Sequence, residues 1–135
     1  MKRSSGILLP VFSLPSSYGI GTFGKEAYNF IDFLVAAEQE YWQMLPVGPT
    51  GFGDSPYQSF SAYAGNPYFI DLEFMAEGGL LSREEIELVP QGEDPIQVNY
   101  GILYHQRRSL LRKGFSRFDP QYDVAFDYFC KANAD

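Results

Sequence analysis

The pattern that most limits how this chain folds lies in its first 45 residues: an apolar run, a stripe at helical spacing, and a second apolar run. Ile7-Leu8-Leu9 is continuous and apolar, bounded by Gly6 and Pro10, which predicts a strand buried on both faces, as in a parallel sheet. Pro15 and Gly19-Ile20-Gly21 mark an irregular connection. Ala27, Phe30, Ile31, Leu34 and Val35 then recur at i, i+3, i+4, i+7 and i+8, one apolar face of a 3.6-residue period. Asp32, Glu38 and Glu40 lie off that face. Tyr41 to Leu45 predicts a second buried strand, ended by Pro46. Strand, helix and strand in this order predict a βαβ unit with parallel strands and a right-handed crossover.

The second strand opens into a loop rich in Gly, Pro, Ser and Tyr that closes on another apolar run at Asp71. A loop of that length is uncommon in a compact domain unless it is functional or disordered. Its many aromatics argue against disorder. It leaves the C-terminal end of a parallel strand, where ligands bind in both (β/α) barrels and open α/β sheets. Within Gly51-Phe-Gly-Asp-Ser-Pro-Tyr57 the glycines permit close ligand approach. Tyr57 offers a flat face and a hydroxyl, and Asp54 and Ser55 can exchange hydrogen bonds with sugar hydroxyls. A tight turn, with Asp54 bonded to its own backbone and Tyr57 packed into the core, accounts for the same residues. The residues alone leave both readings open.

Beyond the loop the pattern is helical. Leu72 to Glu77 is a short helix stopped by Gly78-Gly79, with Asp71 as its cap. Ser82 and Glu85 form a capping box for a helix that Pro90 ends, and negative charge at Glu84 and Glu85 suits its first turn. Pro90 to Pro95 reads as a polar turn. Asn99 to Lys113 is the next helix, with Leu103, Leu110 and Leu111 inward and Gly114 as its stop. Tyr122, Ala125, Phe126, Phe129 and Cys130 mark a last apolar helix face. Two strands alone leave sheet edges open and cannot cover a core. The pattern therefore reads as the opening section of a larger α/β domain.

The formal net charge of −7 argues against nucleic acid, which needs a basic footprint. Arg107, Arg108, Arg112, Lys113 and Arg117 do cluster, and at helical spacing they read as a solvated face. The one cysteine, Cys130, excludes a disulfide within the chain and a cysteine metal site, and reads as inert core. His105 has no carboxylate or thiol motif around it and reads as a surface or satisfied histidine. Ile7 to Phe12, behind Lys2 and Arg3, is too short for a signal-peptide core or a membrane span. A cytoplasmic protein without a membrane partner is expected.

Several segments carry a family resemblance: Ser5-Gly-Ile-Leu-Leu-Pro10, Ser13-Leu-Pro-Ser16, Tyr18-Gly-Ile-Gly21 and Tyr41-Trp-Gln-Met-Leu-Pro-Val-Gly-Pro-Thr50. Gly53-Asp-Ser-Pro-Tyr-Gln-Ser59 and Ala64-Gly-Asn-Pro-Tyr68 complete the set, and Asn99-Tyr-Gly-Ile-Leu-Tyr104 matches a weaker one. The chain closely resembles the N-terminal part of the 4-α-glucanotransferases, also called amylomaltases or disproportionating enzymes, within the α-amylase superfamily. The resemblance implies the N-terminal part of a (β/α)8 TIM barrel with helical insertions, incomplete in this chain. Residues 1–50 would be the first βαβ unit, and 51–135 a glucan-binding loop and a truncated helical subdomain.

It also implies a chemistry: transfer of part of an α-1,4-glucan to the 4-hydroxyl of another glucan or of glucose. The mechanism is retaining, with a carboxylate nucleophile and a carboxylic acid–base. No metal or organic cofactor is implied, and the expected partners are α-1,4-glucans, maltooligosaccharides and glucose. Tyr57 matches the aromatic that stacks on the donor sugar, Ser55 a nearby hydroxyl contact, and Asp54 a support for the loop. Phe52 and Tyr100 fall at a second, remote glucan groove, where Tyr is frequent at the first position; Phe52 keeps the face and loses the hydroxyl. The family's catalytic carboxylates lie beyond residue 135, so no catalytic residue is expected here. A non-catalytic carbohydrate-binding module is the alternative. Oligomeric state is not fixed by the sequence.

Overall fold

The computed structural model describes residues 3–89, 97–121 and 123–134. Strand β1 (Gly6–Leu8) pairs in parallel with β2 (Tyr41–Gln43), and helix α1 (Lys25–Ala36) connects them. The register sets Gly6 against Tyr41, Ile7 against Trp42 and Leu8 against Gln43. Gly6 is required there, because an added Cβ would lie 2.5 Å from the Tyr41 carbonyl oxygen. The Trp42 indole N–H donates to the Leu9 carbonyl at 2.7 Å and fastens the end of the pair.

Both strands are shorter than the sequence predicts, and neither is buried on both faces. Side chains alternate across a strand. Ile7 and Trp42 share the half-covered face, where Trp42 meets Phe30 of α1 edge-on at 4.9 Å. Leu8 and Tyr41 point the other way and are exposed. The α1 stripe divides similarly. Ala27 and Leu34 are buried and Phe30 is half-buried, while Ile31 and Val35 are exposed.

The remaining elements are helical: α2 (Leu72–Glu77), α3 (Arg83–Glu87), α4 (Tyr100–Arg117) and α5 (Val124–Ala132), with short 3-10 turns at Val11–Ser13 and Pro67–Phe69. Asp71 caps α2, its Oδ1 accepting from the Phe74 N–H at 3.0 Å. Its Oδ2 accepts from the Thr22 hydroxyl at 2.5 Å, which ties α2 to the turn before α1. The capping box of α3 is complete in both directions between Ser82 and Glu85. Asn99 caps α4 by accepting the Ile102 N–H at 3.1 Å.

Two apolar clusters form the core. Val11, Leu14, Ile20, Ala27, Phe69 and Leu103 make one. Leu72, Leu81, Ile86 and Val89 make the other, with Met75 and Leu110 packed against it.

Three expectations need correction. Gly114 does not stop α4, which continues to Arg117. Gly114 is buried because Met75 crosses it: an added Cβ would lie 2.3 Å from the Met75 methyl carbon. A glycine at such a crossing admits a neighbouring side chain, a role the sequence cannot distinguish from a helix stop. Cys130 is exposed, not core, because α5 buries none of its side chains. The basic run is not a uniform solvated face, as described below. The expected turn at Pro90–Pro95 and the side chain of Tyr122 lie outside the described residues.

Candidate functional site

The long loop is built from local hydrogen bonds. The Asn66 N–H donates to the Val47 carbonyl at 2.8 Å and closes the base. The Asn66 side chain is buried and accepts from the Tyr68 N–H at 3.0 Å, which fixes the 3-10 turn carrying Tyr68. Ser59 packs beside Gly48, where a Cβ would come within 2.6 Å of the serine oxygen. At the tip, the Asp54 N–H donates to the Gly51 carbonyl at 3.2 Å, with Gly53 at φ 94° and Asp54 at φ 56°. A non-glycine residue in that left-handed region carries a steric cost of about 1 kcal/mol, so the Asp54 backbone is held there by the turn.

Between this loop, the turn at Pro67–Phe69 and one face of α4 lies a groove of about 1130 Å³. The loop contributes Phe52, Asp54 and Phe60, the turn contributes Tyr68, and α4 contributes Tyr100, Tyr104, His105, Arg108, Arg112 and Phe115. Tyr68 and Tyr100 stand 6.2 Å apart and tilted. Burial raises the hydroxyl pKa of both, and the Asp54 charge raises each further. Both therefore stay neutral hydrogen-bond donors at physiological pH. Arg108 acts on the Tyr68 hydroxyl in the opposite sense.

Phe52, Asp54 and Tyr100, three of the five residues singled out from the sequence, meet at this groove. Ser55 and Tyr57 are not in its lining. Ser55 Oγ lies 3.4 Å from the Tyr57 N–H, as turn chemistry expects. Tyr57 is 72% exposed and so is not a core residue in this structure. The sequence reading missed Phe60, Tyr68, Tyr104, Arg108 and Arg112 as site residues. Tyr100, Tyr104, Arg108 and Arg112 repeat every four residues, and that spacing on one helix face was a signal that could have found them.

The basic run is divided by the turn of α4. Arg107 points inward and is 1% exposed. Its Nη2 donates to the Tyr18 carbonyl at 3.1 Å. Burial pulls its pKa down to about 10, against the pull of Asp71 and Tyr18, and it remains a cation at neutral pH. Lys113 and Arg117 converge on Glu85, with the two Arg117 bonds at 2.7 and 2.8 Å in a fork. Arg108 and Arg112 face the groove. Several carboxylates have structural partners: Asp71 and Asp123 cap helices, Glu73 meets Tyr18 and Arg83, and Asp127 meets Lys131. Among the described residues, no cluster of three or more His, Cys, Asp or Glu side chains could hold a metal ion. Nor is any described helix long and apolar enough to cross a membrane.

A parallel βαβ start, followed by an aromatic-walled groove on the loop beyond its second strand, defines an α/β chain with a site suited to flat, hydroxylated ligands. The family model described as 4-α-glucanotransferase (Glyco_hydro_77) matches residues 9–135, and the chain belongs to that family. It is 52% identical over 133 residues to the 4-α-glucanotransferase of Streptococcus pneumoniae serotype 4, covering 98% of this chain and 26% of that one. It is 46% identical over 138 residues to the Thermus thermophilus 4-α-glucanotransferase, covering 99% and 27%. Among solved structures it is similar to an amylomaltase from Streptococcus agalactiae in complex with acarbose. That match has a TM-score of 0.87 at 44% identity and covers 97% of this chain and 26% of that one. The chain spans about a quarter of the length of the relatives it matches.

Proposed function

We propose that this chain is the N-terminal portion of a 4-α-glucanotransferase and supplies part of its glucan-binding surface. Residues 1–50 are the first βαβ unit of a (β/α)8 barrel, and 51–135 a glucan-binding loop with part of a helical subdomain. The faces of β1 and β2 turned away from α1 are exposed, which supports this, since the inner faces of a closed barrel are covered by side chains from its other strands. The assembled enzyme moves a segment of an α-1,4-glucan to the 4-hydroxyl of a glucan or glucose. The chemical step belongs to carboxylates outside this chain. Its single cysteine suits a reducing, cytoplasmic setting. Family membership disfavours a free-standing carbohydrate-binding module.

The observation that carries the reading is the aromatic surface of one loop. Tyr57 stands clear of the core with its ring free to stack on a donor sugar, with the Ser55 hydroxyl oxygen against its N–H and Asp54 at the tip of the same loop. Phe52 and Tyr100 offer further faces in the groove. Aromatic rings match the C–H faces of glucose, and the tyrosine hydroxyls meet its rim. The acarbose held by the amylomaltase neighbour supports a ligand of that class.

The test joins this chain to the remaining three-quarters of the Streptococcus pneumoniae relative and follows disproportionation of maltotriose. Tyr57→Ala should lower kcat at least tenfold, about 1.4 kcal/mol of barrier, because ring positioning acts in the transition state. A folded variant with unchanged kcat would remove Tyr57 from the donor site.

A further inference from the structure

The five cations of the basic run have three different fates. Arg107 is in the core, and Lys113 and Arg117 hold Glu85. Arg108 and Arg112 are left over. Both are exposed, both line the groove, and neither makes a hydrogen bond or ion pair with another described residue. His105 lies one turn before Arg108 and two before Arg112, and also lines the groove. In a chain of net charge −7 with ten Lys and Arg residues, two guanidinium groups that form no hydrogen bond or ion pair with another described residue are placed in one aromatic-walled groove. Stacking a neutral glucan requires no positive charge. A guanidinium fork matches the oxygens of a phosphate.

We propose that this groove takes an α-glucan bearing a phosphate monoester. The glucose rings lie on the aromatic wall, and the phosphate meets Arg108 and Arg112 on α4. The proposal rests on the reading of the groove as a glucan site. Asp54 enters the groove from the loop side and repels the phosphate toward the helix. The volume of about 1130 Å³ exceeds the roughly 300–1000 Å³ of a small-molecule pocket, which favours an oligosaccharide over a free sugar phosphate.

The experiment measures binding to the joined enzyme by calorimetry, so that folding of the isolated chain does not decide it. The probes are maltoheptaose, maltoheptaose with one phosphate on a primary hydroxyl, and glucose 6-phosphate. The phosphorylated heptaose should bind about tenfold more tightly than the neutral one, and the ratio should shrink as salt is raised. In the Arg108→Gln/Arg112→Gln variant the ratio should fall to about one. Retention of much of the preference by Arg108→Lys/Arg112→Lys would support a charge contact. Equal affinity for the two heptaoses would overturn the proposal while leaving the glucan site standing. Glucose 6-phosphate binding as tightly as the phosphorylated heptaose would overturn the polymer ligand. Binding of none of the three would remove both the proposal and the glucan reading of the groove.

Discussion

The helical cluster of Leu72, Leu81, Ile86 and Val89 is buried, whereas the strand–helix–strand unit before it leaves Leu8, Ile31, Phe33, Val35 and Tyr41 exposed. Leu72 and Ile86 are at 0% and 1% exposure, while Leu8 and Val35 are at 55% and 70%. The reason is geometric. A helix satisfies its own backbone and needs only one packed stripe, so three capped helices can close around Leu72. A strand needs a neighbour on each side and cover on two faces, and a sheet of two strands provides neither. An apolar pattern thus specifies which face can be buried, and topology decides whether the cover comes from nearby in the chain.

The sharpest way to break this comparison is to truncate one residue from each region. Leu72→Ala should cost about 2–5 kcal/mol, because it opens a cavity among Leu81, Ile86 and Met75 that cannot collapse fully. Val35→Ala should stay within about 0.5 kcal/mol, as for other exposed positions. Urea unfolding of the two variants measures the difference. Similar losses would mean that Val35 is covered in solution.

A smaller effect probes how the helical segment is clamped. Glu85 accepts from Arg117, Lys113 and the Ser82 N–H, in that order of influence, and together they hold its carboxyl well below the usual carboxylate range. A depressed folded pKa means that the unfolded chain takes up the proton first as pH falls. The contribution of the clamp is therefore complete above the ordinary value of 4.5 and is lost progressively below it. Amide exchange in α3 and the last turn of α4 should accelerate as pH falls below that value, after correction for intrinsic rates. Glu85→Gln should reduce this pH dependence to the smaller part that Glu84, also held low at the helix start, contributes, and leave exchange at Leu72 unchanged.

Features decided by neighbouring residues were legible in the sequence. The capping box at Ser82 and Glu85, the cap at Asp71 and the end of α2 at Gly78 all appear where local chemistry puts them. The parallel pairing of β1 and β2 also follows from the pattern. Features decided by tertiary contact were not legible. Arg107 lies on the Leu103–Leu110 side of α4, yet in a run of cations it reads as solvated; only packing against the Tyr18 turn shows its burial. The candidate site divides the same way. Asp54 was singled out by loop chemistry and Phe52 and Tyr100 by the family resemblance, whereas Tyr104, Arg108 and Arg112 needed the groove itself to mark them. The open face of α5 carries the same lesson, since its stripe of Phe126, Phe129 and Cys130 was readable and its lack of burial was not.

A last test is at Gly114 of α4, which the end of the Met75 side chain from α2 meets. Alanine there gains up to about 1 kcal/mol of helix propensity over glycine. Against this, its Cβ would meet the Met75 methyl carbon at 2.3 Å, while the next atoms, Leu80 Cβ and the Leu80 carbonyl oxygen, stand at an ordinary 3.7 Å. The obstacle is the end of a flexible thioether, which can swing to another rotamer. The two effects oppose each other, so Gly114→Ala should leave stability within about 1 kcal/mol of the parent, with helix content by circular dichroism unchanged. If Gly114 were the stop that the sequence suggests, alanine would raise helix content. A loss well beyond that margin would show that Met75 has no room to move, and that its contact with α4 is as tightly fixed as the packing around Leu72.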